Sequence, residues 1–262
     1  MKYLKYFKQA SAYEAYRTGS NYIIPNVSYI VETSEVKYNP VSVESKNIIC
    51  TYIIDEQYVN TPVKLINNAN TVGWTDEYEF IIDGVKITYN EEDGTYSDEN
   101  ILWDDNGCIV YTFSSVGIHT FEFIPALDAY DVDNDGTMES VYAISNDMFR
   151  DCYRLYSIQI PDVADEIAIS DCAFVNCENL QEIDFSENVK YFGGFVFENC
   201  SSNPVVIFNS AVPPQITKDT FFMGDFSGMT IKVPAGSDYS EWQNNTSEHY
   251  PGYYSSIKFE TI

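Results

Sequence analysis

Between Ile144 and Phe208 one pattern is written three times in the same register. The first copy runs Ile144-Ser145-Asn146-Asp147-Met148-Phe149-Arg150-Asp151-Cys152 and continues through Leu155, Ile158 and Ile160. The second runs Ile169-Ser170-Asp171-Cys172-Ala173-Phe174-Val175-Asn176-Cys177 and continues through Leu180, Ile183 and Phe185. The third runs Phe192-Gly193-Gly194-Phe195-Val196-Phe197-Glu198-Asn199-Cys200, followed by Val206 and Phe208. In every copy a Phe stands three residues before the Cys, and two strand-like apolar positions follow the Cys by six and eight. A unit of roughly 20–29 residues cannot bury its apolar face alone, so such copies stack as coils of a solenoid. The expectation is one short strand plus a turn or short helix per coil. The alternating pairs Ile158/Ile160, Ile183/Phe185 and Val206/Phe208 point inward from those strands. Phe149, Phe174 and Phe197 should stack as a buried aromatic ladder.

The same register explains half of the six cysteines. Cys152, Cys177 and Cys200 lie 25 and 23 residues apart, and Cys50, Cys108 and Cys172 add no regular spacing and no Cys-x-x-Cys. Stacking as small buried hydrophobes accounts for the periodic three better than redox chemistry does. A long chain with such uneven spacing does not read as a disulfide scaffold.

The run from Ile169 to Phe185, Ile-x-x-x-Ala-Phe-x-x-Cys-x-x-Leu-x-x-Ile-x-Phe, resembles the BspA-like leucine-rich repeat of bacterial surface proteins. The glycine usual after the first Ile of that family is replaced by Ser145 and Ser170 and survives as Gly193, and copy three has Asn203-Pro204 where a Leu is expected. The segment Ala211-Val212-Pro213-Pro214-Gln215-Ile216, Phe221, and Ile231-Lys232-Val233-Pro234-Ala235-Gly236-Ser237 with Tyr239 and Trp242 is similar to the closing segment of these domains. A solenoid end needs such a cap, because it exposes an unpaired strand and an open apolar face. Ser237 or Asp238 can N-cap a short helix that lowers Trp242 onto the last coil, and Ile257-x-Phe259 supplies a final strand. The resemblance implies adhesion to host or microbial macromolecules without catalysis.

Ahead of the repeats the chain reads as short β-runs: 48–54, 63–66, 79–82, 85–89, 109–113 and 119–123, with Asp83-Gly84 a hairpin signal between two of them. Such runs without helical periodicity predict an immunoglobulin-like antiparallel β-sandwich. Tyr111-Thr112-Phe113, Gly117 and His119-Thr120 resemble the small β-domain that often precedes BspA-like repeats. Residues 1–45 form a separate small α/β element: a short helix over Ser11–Arg17 stopped by Gly19, and a hairpin around Glu32-Thr33-Ser34-Glu35. The opening, with Lys2-Tyr3-Leu4, then Pro25-Asn26-Val27-Ser28-Tyr29 and Tyr38-Asn39-Pro40, is similar to that of proteins from gut bacteria and their phages. The fold expected is therefore mainly β in three parts: the element over 1–45, the sandwich over 46–127, and repeats with a cap over 128–262.

With 14 Lys+Arg against 40 Asp+Glu the formal charge is −26. That excludes nucleic acid and anionic membrane surfaces as partners, whose affinity comes from Lys and Arg. No apolar stretch reaches the ~20 residues of a membrane span. The start, Met1-Lys2-Tyr3-Leu4-Lys5-Tyr6-Phe7-Lys8, lacks the apolar core of a signal peptide, so either the chain stays inside or its export signal has been removed.

The sharpest local motif is Asp131-Val132-Asp133-Asn134-Asp135-Gly136-Thr137-Met138-Glu139. Oxygen ligands at alternate positions with Gly at the sixth are what a calcium loop uses, which makes Asp131, Asp133, Asp135 and Glu139 the candidate metal ligands. The twelfth position, where a bidentate Glu belongs, is Tyr142, and the same letters also suit a turn joining the sandwich to the first repeat. Asp104 and Asp105 are a carboxylate pair, but neighbours on a turn diverge, and Asp-Asn-Gly is an ordinary hairpin turn. His119 alternates with Phe121 and Phe123 and reads as a sheet residue with a local hydrogen bond. With only His119 and His249 present, no histidine-based catalytic or zinc site can be proposed. Tyr153, Tyr156, Tyr239, Tyr250, Tyr253 and Tyr254 are candidates for a recognition face, or for completing sheets and cap. The function expected is non-enzymatic binding of a host or microbial protein or glycan at the cell surface, with no required cofactor and calcium as the possible ion. The alternative is a structural protein of a phage or prophage virion, cytoplasmic before assembly.

Overall fold

Short runs rich in β-branched and aromatic residues make the first strands, and tight turns such as Asp83-Gly84 fold them back. The computed structural model describes residues 47–67, 80–90, 94–104, 106–124, 127–130, 136–160, 166–200, 204–217, 219–220, 228–240, 242 and 257–262. The helix expected over 11–17 and the hairpin around 32–35 lie outside the described residues. In the N-terminal part run β1 (Ile48–Ile54), β2 (Pro62–Ile66), β3 (Phe80–Ile82), β4 (Val85–Ile87), β5 (Tyr89–Asn90), β6 (Thr95–Tyr96), β7 (Ile101–Trp103), β8 (Ile109–Thr112) and β9 (Gly117–Phe123). All of their pairings with one another are antiparallel: β1-β9-β3-β4 in one sheet, β2-β8-β7 in a second, and β5-β6 as a ribbon. Asp83 and Gly84 join β3 to β4 with φ of 51° and 79°. Positive φ at both central residues gives the turn the twist that a two-residue hairpin needs. Asp104 accepts from Asn106 N and Cys108 N at 2.8 and 2.9 Å and so forms the turn between β7 and β8. The Cys108 amide holds this carboxyl below the ordinary carboxylate range.

From residue 127 onward the chain winds. β10 (Leu127–Tyr130) pairs antiparallel with β11 (Glu139–Ile144), and four coils follow. The coils contribute two strands each: β11 and β12 (Leu155–Gln159), β13 (Ile167–Ile169) and β14 (Glu182–Phe185), β15 (Val189–Phe192) and β16 (Val205–Phe208), and β17 (Gln215–Ile216) and β18 (Thr230–Val233). β19 (Lys258–Thr261) is added beyond the last coil. Two parallel stacks result, β11-β13-β15-β17 on one side and β12-β14-β16-β18-β19 on the other. Each coil thus carries two strands and a hydrogen-bonded turn, where one strand with a turn or helix was expected. The second strand escapes sequence reading because in coils two to four it is four residues or shorter.

The interior is built from equivalent apolar residues in register. Ile158, Ile183, Val206 and Ile231 align across the larger stack, all fully buried. Phe149 and Phe174 stack at 5.5 Å and 7°, Phe174 and Phe197 at 5.8 Å and 9°, which is the expected aromatic ladder. The cysteine ladder also forms, with a detail beyond packing. Cys177 donates its thiol to Phe149 O at 3.0 Å and Cys200 to Phe174 O at 3.1 Å, so each coil ties to the one before. Burial pushes the Cys200 thiol up to about 12 and raises Cys152 and Cys177 as well, which leaves these groups inert. On the turn surface Asn176 donates to Asp151 at 2.7 Å and Asn199 to Asn176 at 3.1 Å. All three sit at positive φ, which Asx side chains tolerate.

Both ends of the solenoid are closed. At the first coil, β1 pairs antiparallel with β12, so the N-terminal sheet and the larger stack are one sheet of nine strands. Residues 65–67 complete the seam by imitating a preceding coil. Met148, Ala173 and Val196 are equivalent turn positions; the carbonyls of the latter two accept from Phe149 N and Phe174 N, and that of Met148 accepts from Asn67 N at 2.7 Å. Cys152 likewise reaches Leu65 O at 3.5 Å, and Tyr52 donates its hydroxyl to the same carbonyl at 2.8 Å. Phe123 continues the aromatic ladder at 6.0 Å from Phe149. At the other end Tyr239 and Trp242, both buried, pack on Phe208 at 5.9 and 5.5 Å. Asp238 caps their turn by accepting from Ser240 N at 3.1 Å, while Ser237 bonds Pro234 O. Most of the buried apolar residues from Ile48 to Ile257 form one continuous hydrophobic cluster that runs through β-unit, coils and cap, with Val141 and Ala168 as a small second cluster.

Candidate functional site

The seam that joins the β-unit to the first coil leaves a surface cleft of about 370 Å3. One wall comes from the β-unit: Tyr58 at the end of the 3-10 turn Glu56–Tyr58, then Pro62, Val63 and Lys64 on β2. The other comes from the solenoid: Asp151, Tyr153 and Arg154 of the first turn, and Glu178 of the second. Ile53 N donates to Arg154 O across the seam, so the two walls are held by backbone.

The side chains are fixed by one another. Asp55 caps the 3-10 turn by accepting from Gln57 N, and its other oxygen lies 3.7 Å from Arg154 Nη1. The Arg154 guanidinium lies 3.9 Å over the Tyr58 ring, and its Nη2 donates to the Tyr58 hydroxyl at 2.9 Å. A planar cation on an aromatic face is the arrangement that Arg, and not Lys, makes well. Lys64 donates to Asn67 Oδ1 at 2.9 Å and stands 3.9 Å from Asp151. Asp151 receives Asn176, and the Tyr153 hydroxyl donates to it at 3.3 Å. Asn179 donates to the Tyr153 carbonyl, which anchors that residue while its ring stays 45% exposed.

The residues singled out from sequence fall in different places. Asp131, Asp133 and Asp135 lie outside the described residues; Glu139 opens β11, half-buried, opposite Tyr130. Among the described residues no three His, Cys, Asp or Glu side chains gather as a metal site. Of the tyrosines, Tyr153 lines the cleft and Tyr156 is half-buried on β12, whereas Tyr239 is 1% exposed inside the cap. Tyr250, Tyr253, Tyr254 and His249 lie outside the described residues, as does Asp105. His119 is the sheet residue expected, with Nδ1 2.7 Å from Asp83 Oδ2 and Nε2 3.0 Å from Ser115 O. Burial alone would lower its pKa from 6.5, but the Asp83 carboxylate raises it. Tyr58, Lys64 and Arg154 carry no motif. They meet only because β1 pairs with β12, about 100 residues apart in the chain.

The architecture defines a class: a β-solenoid of repeated coils joined through its first coil to an antiparallel β-unit, with a cleft at the seam. Residues 131–238 match the family of the BspA type leucine rich repeat region, in six copies, over the segment that winds as four coils. The repeat region is thus similar to a family of generally non-enzymatic repeats, and repeats of this type suggest a protein-binding or recognition role. No curated protein and no solved structure matches the chain.

Proposed function

We propose that this is a non-enzymatic recognition protein of the cell surface, which binds a host or microbial protein or glycan through its repeats. The observation that carries the reading is the BspA-type repeat region wound into a rigid parallel stack. Its larger sheet turns Ile158, Ile183, Val206 and Ile231 inward, and the alternate rows, Glu182 beside Val205 and Thr230, Asp184 beside Ile207 and Lys232, face away from that core. A formal charge of −26 favours neutral or basic partners and repels polyanions. The antiparallel sheet β2-β8-β7, separate from the strands that β1, β9, β3 and β4 add to the solenoid's sheet, supports the immunoglobulin-like reading of that unit. No helix among the described residues is long and apolar enough to cross a membrane.

The test is an antibody blot of protease-shaved intact cells, cytosol and purified phage particles from the source culture. Signal that disappears on shaving supports the reading. Signal confined to cytosol or particles overturns it and leaves the virion alternative.

A further inference from the structure

The seam cleft gathers both signs of charge. The chain carries 14 basic residues against 40 acidic ones, yet Lys64 and Arg154 face Asp151 and Glu178 in this one depression. Two lining cations meet two lining carboxylates, with Asp55 behind Arg154 as a third, so at most one net charge is left with which to select an ion. What remains is an alternation of strong donors and strong acceptors within reach of a small guest. Carboxylates accept two hydroxyl protons each, and ammonium and guanidinium groups donate to hydroxyl oxygens. Such a set is suited to a neutral molecule crowded with adjacent hydroxyls. The Tyr153 ring, 45% exposed at the rim, offers a flat apolar face for the C–H side of the same guest.

The groups are also set in place in advance. Arg154 is held by Tyr58 and Asp55, Asp151 by Asn176, and the Tyr153 backbone by Asn179, so binding orders few side chains. Pre-organisation of that kind reduces the entropic cost that weakens small, polar complexes. A volume of about 370 Å3 is at the small end of ligand sites and accommodates a guest on the order of one to two sugar rings.

We propose that this cleft binds a neutral saccharide unit, presented as the terminal ring of a glycan. The proposal rests on the recognition reading above and assigns one site and one ligand class to it. The second coil contributes Glu178 and the β-unit contributes Lys64, so the cleft exists only where the two parts join.

The full chain would be examined by saturation-transfer NMR with methyl glycosides of glucose, galactose, mannose, fucose and N-acetylglucosamine, with glucuronate and glucosamine as charged comparators. The expected result is transfer to at least one neutral glycoside, reduced about tenfold or more in both Tyr153→Ala and Glu178→Gln. Circular dichroism of both variants should match the parent, because both side chains are exposed. Three outcomes overturn the proposal: no transfer to any neutral glycoside, transfer to charged comparators alone, or transfer that persists unchanged in both variants. The same proteins on a panel of immobilised host and microbial proteins separate the two readings. Capture of a protein by parent and variants alike, with no glycoside bound, removes the saccharide site and leaves surface recognition standing. Signal that survives shaving removes the wider reading whatever the glycosides do.

Discussion

Single residues carry most of the coil-to-coil adhesion. Phe174 is fully buried between Phe149 and Phe197, so Phe174→Ala should cost about 3–5 kcal/mol, measured as a shift of the urea midpoint. Five of the six free cysteines are buried and Cys172 alone is half-exposed. A maleimide should therefore label one thiol quickly in the native protein and all six after denaturation; rapid native labelling of more than one would contradict the packed ladder. His119 adds a pH dependence. Its folded pKa stands above the ordinary 6.5 because Asp83 favours the imidazolium, so the pair stabilises the fold below 6.5. That contribution is lost as pH rises through the elevated value. Asp83→Asn should remove or reverse this dependence, because burial without the carboxylate lowers the imidazole pKa; the higher melting temperature at pH 6 than at pH 8 that the pair gives the parent should be lost in the variant. These residues were legible because a repeat prints its own register. Lys64 and Arg154 were not, since nothing local distinguishes a cleft residue whose neighbours lie about 100 positions away.

At the scale of elements, the turns are more constrained than the strands. Gly193 follows β15, and a Cβ there would lie 2.6 Å from Asp171 N and 2.8 Å from the Ser170 carbonyl carbon. Gly193→Ala should cost about 1–3 kcal/mol by overpacking, measurable by chemical denaturation. The equivalent Ser145 and Ser170 show that coils one and two accept a side chain where coil three does not. The longer strands were readable from alternation, and the Asp83-Gly84 turn from its two letters. The smaller stack was not: three residues of β13 and two of β17 are too few to show a period, and they are strands only because neighbouring coils hold them in register.

For the whole molecule the decisive fact is that β-unit and solenoid share one sheet and one core. A repeat array of weakly coupled coils would lose its ends first. Here the ends are the β-unit, packed on Phe149 through Phe123, and the Tyr239/Trp242 cap, packed on Phe208. Unfolding should therefore be a single transition. Trp103 in β7 and Trp242 in the cap report opposite ends, so in a Trp74→Phe background the further variants Trp103→Phe and Trp242→Phe should each show a fluorescence midpoint that coincides with that variant's own circular-dichroism midpoint. Tyr52→Phe, which removes only the buried bond to Leu65 O, should lower both midpoints together by about 1 kcal/mol.

The seam between β1 and β12 also orders events during synthesis. β1 is made early, finds β9 some 70 residues later, and waits until residue 155 for its other neighbour. A nascent chain therefore passes through a stage in which β1 has one filled edge and one vacant edge, with Leu65 O and Asn67 N pointing at a coil not yet made. That vacancy is a template: the first coil settles on it, and every later coil finds its floor already laid by the one just translated. Growth runs in the direction of the ribosome, and the same open edge is where a stalled or truncated chain would recruit a second copy of itself.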